Sequence, residues 1–183
     1  AVGFDSLWLG DHLLYDLPDG TVRGPWEVFT SLAALAASTT RIELGSLVAS
    51  LGFHEPAMLA KMAATVDGIP GGRRTPGGGS GGNRREYEAY GMPYDHRVDR
   101  FEEAFGLIRR LLAGEEVTHS GTYYTLDRCR TDPPAARPGG NRAVAAVQGD
   151  VILGALIWPA WHLQMPSGVV TAVATAQCDA GLC

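Results

Sequence analysis

The sequence predicts an α/β fold with parallel strand pairing, and three observations lead there. Short apolar runs of strand character alternate with longer segments of helical spacing. Those helical segments are long enough to carry the chain back across a sheet, which parallel neighbours require. Of the 183 residues, 45% are hydrophobic, enough for one sizeable core. The formal net charge of −5 describes a mildly acidic globular chain. The Arg73-Arg74 and Arg84-Arg85 pairs do not make a basic nucleic-acid footprint. Cys129, Cys178 and Cys183 form no CxxC, and no His pair stands at zinc spacing, so a reducing, cytoplasmic setting without a metal site is expected. The opening residues lack the basic start and apolar run of a secretion leader. Starting without Met and almost inside a strand, the chain is expected to be a fragment.

Ser6 to Leu9 is the first strand, ended by Asp11-His12, and the stretch "YDLPDGTVRG" reads as a polar loop. A helix opens at Pro25 and runs to about Ser38, with Phe29, Leu32, Ala33 and Ala36 on its apolar stripe. Arg41 to Ala49 returns to strand character. The next helix starts near Pro56, places Leu59, Met62, Ala63 and Val66 inward, and ends before Gly68. "GGRRTPGGGSGG", Gly71 to Gly82, occupies the place of the following strand. Asp95 to about Ala113 is an amphipathic helix with Val98, Phe101, Phe105, Ile108 and Leu112 inward and its charges mostly outward. Glu116 to Arg128 reads as a hairpin turning at Ser120-Gly121. After Gly140 the composition breaks: the last 43 residues hold three charged residues against 32 in the first 140. Val151 to Trp161 is apolar for about eleven residues, where a spanning helix needs roughly 20, so a membrane anchor is not expected.

Several residues carry two readings each. Asp11-His12 is either an ordinary loop start or a histidine able to exchange a proton near neutral pH beside a carboxylate. Gly77 to Gly82 is either a flexible linker or a loop whose amides face a phosphate. It contains neither GK[ST] nor a convincing dinucleotide-binding fingerprint. Trp8, Trp26, Phe29 and Phe53 pack strand against helix or line a flat pocket. Met58, Met62 and Met92 read as core filler, and Arg41, Glu43, Arg109, Arg110, Glu115 and Glu116 as solvated faces.

Five stretches occur in one order: "GFDSLWLGDHLL", "TTRIELGSLV", "HEPAMLAKMAATVDGIPGGR", "NRREYEAYGMPYDHRVDRFEEAFGLIRRLLAGEEV" and "SGTYYTLDR". Together they resemble the luciferase-like flavin- and deazaflavin-dependent oxidoreductases, the wording being closest to the coenzyme F420-dependent members, over residues 1–140. The resemblance implies about the first half of a (β/α)8 TIM barrel, with F420, or alternatively FMN, across the carboxyl ends of the strands and a hydride exchanged with a small-molecule substrate. It implies that His12 is the proton-handling group with Asp11 a nearby polar contact. It places a non-proline cis peptide at Leu47 and Val48 behind the ring, and Gly79, Ser80 and Gly81 at the cofactor's phosphate-bearing tail.

Against that pattern, Arg74 takes a position the family buries, Pro76 removes a ladder donor from a central strand, and Gly78 and Gly82 lack bulk. Each departure is expected to cost a few kcal/mol. Residues 1–140 are thus expected to form a partial barrel domain. Residues 141–183 are expected to be a non-matching tail, translated out of frame or fused from elsewhere. Little or no turnover is expected of the chain, and self-association through apolar edges is. Two other readings stand beside this one: a non-catalytic remnant or interaction fragment with an apolar tail, and a membrane-tethered reductase.

Overall fold

The computed structural model describes residues 4–69, 74–136, 144–146 and 173–175. Strand β1 (Ser6–Leu9) leads into a miniature hairpin of β2 (Tyr15–Asp16) and β3 (Val22–Arg23), where the sequence reads as an irregular loop. Helix α1 (Val28–Ser38) starts three residues later than Pro25 suggests, because the Glu27 carboxylate caps it. That carboxylate accepts from the Phe29 and Thr30 amides at 2.8 and 2.6 Å, satisfying two donors that a helix start leaves free. Strand β4 (Glu43–Ser50) follows, then α2 (Pro56–Gly68), with Pro56 in the first turn where its missing amide costs nothing. The remaining elements are β5 (Arg74–Gly79), α3 (Arg84–Ala89), α4 (Arg97–Leu112), β6 (Val117–Ser120), β7 (Thr125–Cys129), β8 (Val144–Ala146) and β9 (Val173–Thr175).

The main sheet runs β8-β5-β4-β1-β9. β1, β4, β5 and β8 run parallel to one another, and β9 is antiparallel to β1. Among the described residues the sheet is open at both edges, not closed into a barrel. Val28, Phe29 and Leu32 of α1, Leu59, Ala60 and Ala63 of α2, and Phe101, Leu107 and Leu111 of α4 are all buried in one core with Leu44 and Leu51. Three expectations fail around that core: Met58 is an exposed residue on α2, not filler, Val98 sits at the exposed rim of α4, and Trp26, ahead of α1, is exposed instead of packed between strand and helix. The Arg74 side chain, Arg73, Cys178, Cys183 and the apolar run Val151 to Trp161 lie outside the described residues, as does the tail 141–183 apart from the backbones of β8 and β9. Among the described residues no helix is long and apolar enough to cross a membrane.

β5 is a formed central strand despite its unpromising sequence. Its ladder with β4 shifts register between Ser46 and Ala49. There the buried Ser46 hydroxyl donates to the Gly77 carbonyl at 2.9 Å and accepts from the Gly77 amide at 3.2 Å. One side chain therefore satisfies both backbone groups of the residue that follows Pro76, which has no amide hydrogen to give. An apolar void of about 20 Å³ lies beside Gly77 and Gly78, walled by Leu51, Leu59 and Ile108. A Cβ on Gly78 would come within 2.6 Å of the Leu51 Cδ1, whereas one on Gly77 would run into the Ser46 carbonyl oxygen.

The β6–β7 hairpin is held to α4 by one carboxylate. Glu103 accepts from His119 Nε2 at 2.9 Å and from the Tyr123 and Tyr124 amides at 3.1 and 3.0 Å. The charges of "DRFEEA" read as mostly outward, and Glu103 faces the hairpin. Burial by itself would raise its pKa, but these hydrogen bonds outweigh burial and hold the carboxyl below the usual range.

Two predictions follow from these contacts. Ser46→Ala should lower stability by about 1–3 kcal/mol, read as a shift in the urea midpoint, because it strips both Gly77 groups of their partner inside the sheet. A carboxylate whose pKa is depressed on folding contributes stability above its unfolded pKa and loses it as pH falls through the folded one. Unfolding midpoints measured from pH 7 downward should accordingly drop more steeply for the wild type than for Glu103→Gln.

Candidate active site

The parallel strands β1, β4 and β5 end side by side, and the titratable residues gather at those carboxyl ends, where α/β folds place their sites. Asp11 and His12 lie just past β1, Ser50 closes β4, and Ser80 and Gly81 follow β5.

His12 keeps 37% of its side chain exposed, while its partner Glu86 on α3 keeps 1%. The His12 Nδ1 stands 3.2 Å from both Glu86 carboxylate oxygens. Glu86 Oε1 also accepts from the Leu13 amide at 2.6 Å and from the Leu14 amide at 3.3 Å. The Tyr15 ring packs against the His12 ring with centroids 4.9 Å apart. Burial, and next the charge of Glu86, push the Tyr15 phenol up to about 12.

Asp11 is turned the other way. It is 4% exposed, and its Oδ2 accepts from the Ser50 amide at 2.9 Å and faces His54 Nε2 at 3.0 Å. His54 in turn meets the edge of the Phe29 ring at 5.6 Å. Asp11 therefore knits the end of β1 to the end of β4, so its polar contact is with the protein wall.

The Leu47–Val48 peptide bond is cis, as the resemblance implies, and it falls at the register shift in β4. These two residues are half-buried between Ser46 and Ala49, which are buried. A Cβ on Gly10 would lie 3.6 Å from His12 Cδ2 and 3.9 Å from the Leu47 carbonyl, so the histidine and the cis peptide flank one glycine.

At the third strand end, Tyr87 is completely buried and donates to the Ser80 carbonyl at 2.9 Å. Its hydroxyl also stands 3.3 Å from Ser50 Oγ. Gly81 adopts a φ of +67°, and a Cβ there would strike both Tyr87 Oη and Ser50 Oγ, so only glycine fits. The Ser80 hydroxyl is fully buried and has no hydrogen-bond partner among the described residues. An orphaned donor at this point suits an anionic or polar group brought in from outside.

The structure thus brings Asp11, His12 and Leu47–Val48 to one place, and Gly79, Ser80 and Gly81 to the adjacent strand end. Sequence reasoning did not find Glu86, His54 or Tyr87. Glu86 and Tyr87 stand inside the quoted "NRREYEAYG", but nothing local marks a helical glutamate as the partner of a residue 74 positions earlier.

The sequence profile of the luciferase-like monooxygenases matches residues 1–174. The 4-hydroxyprotoasukamycin monooxygenase of Streptomyces nodosus subsp. asukaensis is 36% identical over 140 residues, covering 75% of this chain and 36% of that protein. The F420-dependent glucose-6-phosphate dehydrogenase of Beutenbergia cavernae is 40% identical over 131 residues, covering 67% of this chain and 37% of that protein. The oxygenating constituent of 3,6-diketocamphane monooxygenase from Pseudomonas putida, solved with FMN, superposes with a TM-score of 0.59 at 19% identity, over 78% of this chain and 41% of that one, a likeness of fold alone. The chain accordingly spans well under half the length of these proteins.

Removing the phenol oxygen in Tyr87→Phe should cost about 1–2 kcal/mol in chemical denaturation, since the Ser80 carbonyl would lose a buried donor.

Proposed function

Because the chain belongs to the luciferase-like monooxygenase family, we propose that it carries the cofactor-facing half of an oxidoreductase that passes a hydride between coenzyme F420 and a small organic substrate. FMN is the alternative cofactor. The observation that carries this reading is the half-exposed His12, held by a buried carboxylate next to a half-buried cis peptide where three parallel strands end. The bound deazaflavin or flavin would supply the ring that gives or accepts the hydride.

This chain's own residues have separate tasks in the proposal. Leu47 and Val48 form an apolar shelf for a flat ring. Ser80, through its unused hydroxyl, and the backbones of Gly79 and Gly81 hold the phosphate-bearing tail. His12 takes or gives the proton that accompanies the hydride. Asp11 fixes the strand ends that set the distance between shelf and histidine, a matter of orientation that governs rate strongly.

For the 183-residue chain by itself, we propose binding with little or no turnover. Among the described residues the sheet that carries the site is open at both edges.

A fluorescence titration of the purified chain with F420 and with FMN tests the reading. Saturable binding of one of them is expected, weakened about tenfold or more in Gly79→Asp, which sets a carboxylate beside an anionic tail, and reduced in His12→Ala. Absence of saturable binding to both cofactors would overturn it in favour of the non-catalytic remnant.

A further inference from the structure

We propose that Glu86 is a positioning residue that holds His12 in one tautomer, with hydrogen on Nδ1 and the lone pair on Nε2 directed to the open end of the strands. The proposal deepens the reading of His12 as the proton-handling group and rests on it for its functional meaning, though the tautomer itself can be measured without any cofactor.

An ionised carboxylate only accepts hydrogen bonds, and a neutral imidazole donates from one nitrogen and accepts at the other. Glu86 stands 3.2 Å from His12 Nδ1 through both of its oxygens, so the hydrogen of a neutral ring belongs on Nδ1. Oε1 of Glu86 is already engaged by two groups that can only donate, the Leu13 and Leu14 amides.

Nε2 has no hydrogen-bond partner among the described residues, and the ring keeps over a third of its surface exposed. Its lone pair is free to receive a proton from a substrate oxygen, and the imidazolium so formed would face a buried carboxylate across Nδ1–H. The Tyr15 ring, 4.9 Å away, limits rotation of the imidazole. This arrangement is the one that metal-free proton transfer asks of a histidine: a fixed ring, one occupied nitrogen and one available nitrogen.

A purely structural Glu86 would tie α3 to the end of β1 through the Leu13 and Leu14 amides alone. Glu86→Gln separates the two roles. The amide oxygen can still accept from both backbone donors, but its NH2 would then face Nδ1 and favour hydrogen on Nε2. The isolated side chain prefers hydrogen on Nε2, so the wild-type assignment proposed here is not the default.

The test is a long-range proton–nitrogen NMR spectrum of the 15N-labelled full chain without cofactor, at a pH where the ring is neutral, with His12 identified by its loss in His12→Gln. A protonated Nδ1 and an unprotonated Nε2 in the wild type, reversed in Glu86→Gln, are expected. Hydrogen on Nε2 in the wild type, an even mixture of tautomers, or the same Nδ1–H pattern in Glu86→Gln would overturn the assignment. Should the variant not fold, the wild-type spectrum decides alone, Nδ1–H sustaining it and Nε2–H overturning it. A chain that shows the Nδ1–H tautomer yet binds neither F420 nor FMN would count against the cofactor reading and leave the role of Glu86 standing.

Discussion

A buried carboxylate has to be surrounded by donors, and the site is organised around how Glu86 meets that requirement. Its donors come from the loop after β1, 72 to 74 residues away in sequence. Satisfying them fixes where α3 lies against the end of the first strand. With α3 placed, Tyr87 is driven inward, where its hydroxyl takes the Ser80 carbonyl and approaches Ser50. That contact dictates the left-handed turn at Gly81, and the same helix placement leaves His12 standing at the rim. Three strand ends are thus set by one group that no solvent reaches. Asp11 repeats the device on a smaller scale between β1 and β4.

What could be read from the sequence is what local chemistry decides. Ser6–Leu9 and the start of α2 at Pro56 appear where apolar runs and proline geometry place them. The long amphipathic α4 and the β6–β7 hairpin follow from helical spacing and turn chemistry in the same way. The start of α1 was misplaced because a glutamate two residues beyond the proline serves as the cap, a weaker signal than the proline itself. The cis bond at Leu47–Val48 has no mark in the residues that form it and was legible only through resemblance to a family. Glu86, His54 and Glu103 escaped for a common reason. Each is an ordinary charged or polar residue on a helix or loop, and its importance depends on a partner that only the tertiary fold delivers.

The family match runs over residues 1–174, across the charge break at Gly140. The first three strands of the parallel sheet and their helices are explained by burial, caps and paired polar groups. β8 extends the sheet beyond β5, and β9 extends it beyond β1 in the opposite direction, so the tail contributes backbone pairing to both edges. That pairing bears on how the two regions of contrasting composition share one sheet, a relation the charge break at Gly140 does not disclose.

The Ser46 hydroxyl acts as a splice between two strands. It occupies both backbone groups of Gly77 from the one stretch of β4 where the ladder with β5 shifts register. A side chain at this point does for the neighbouring strand what main-chain pairing does elsewhere, so position 46 answers to the backbone of β5 as much as to the packing of β4.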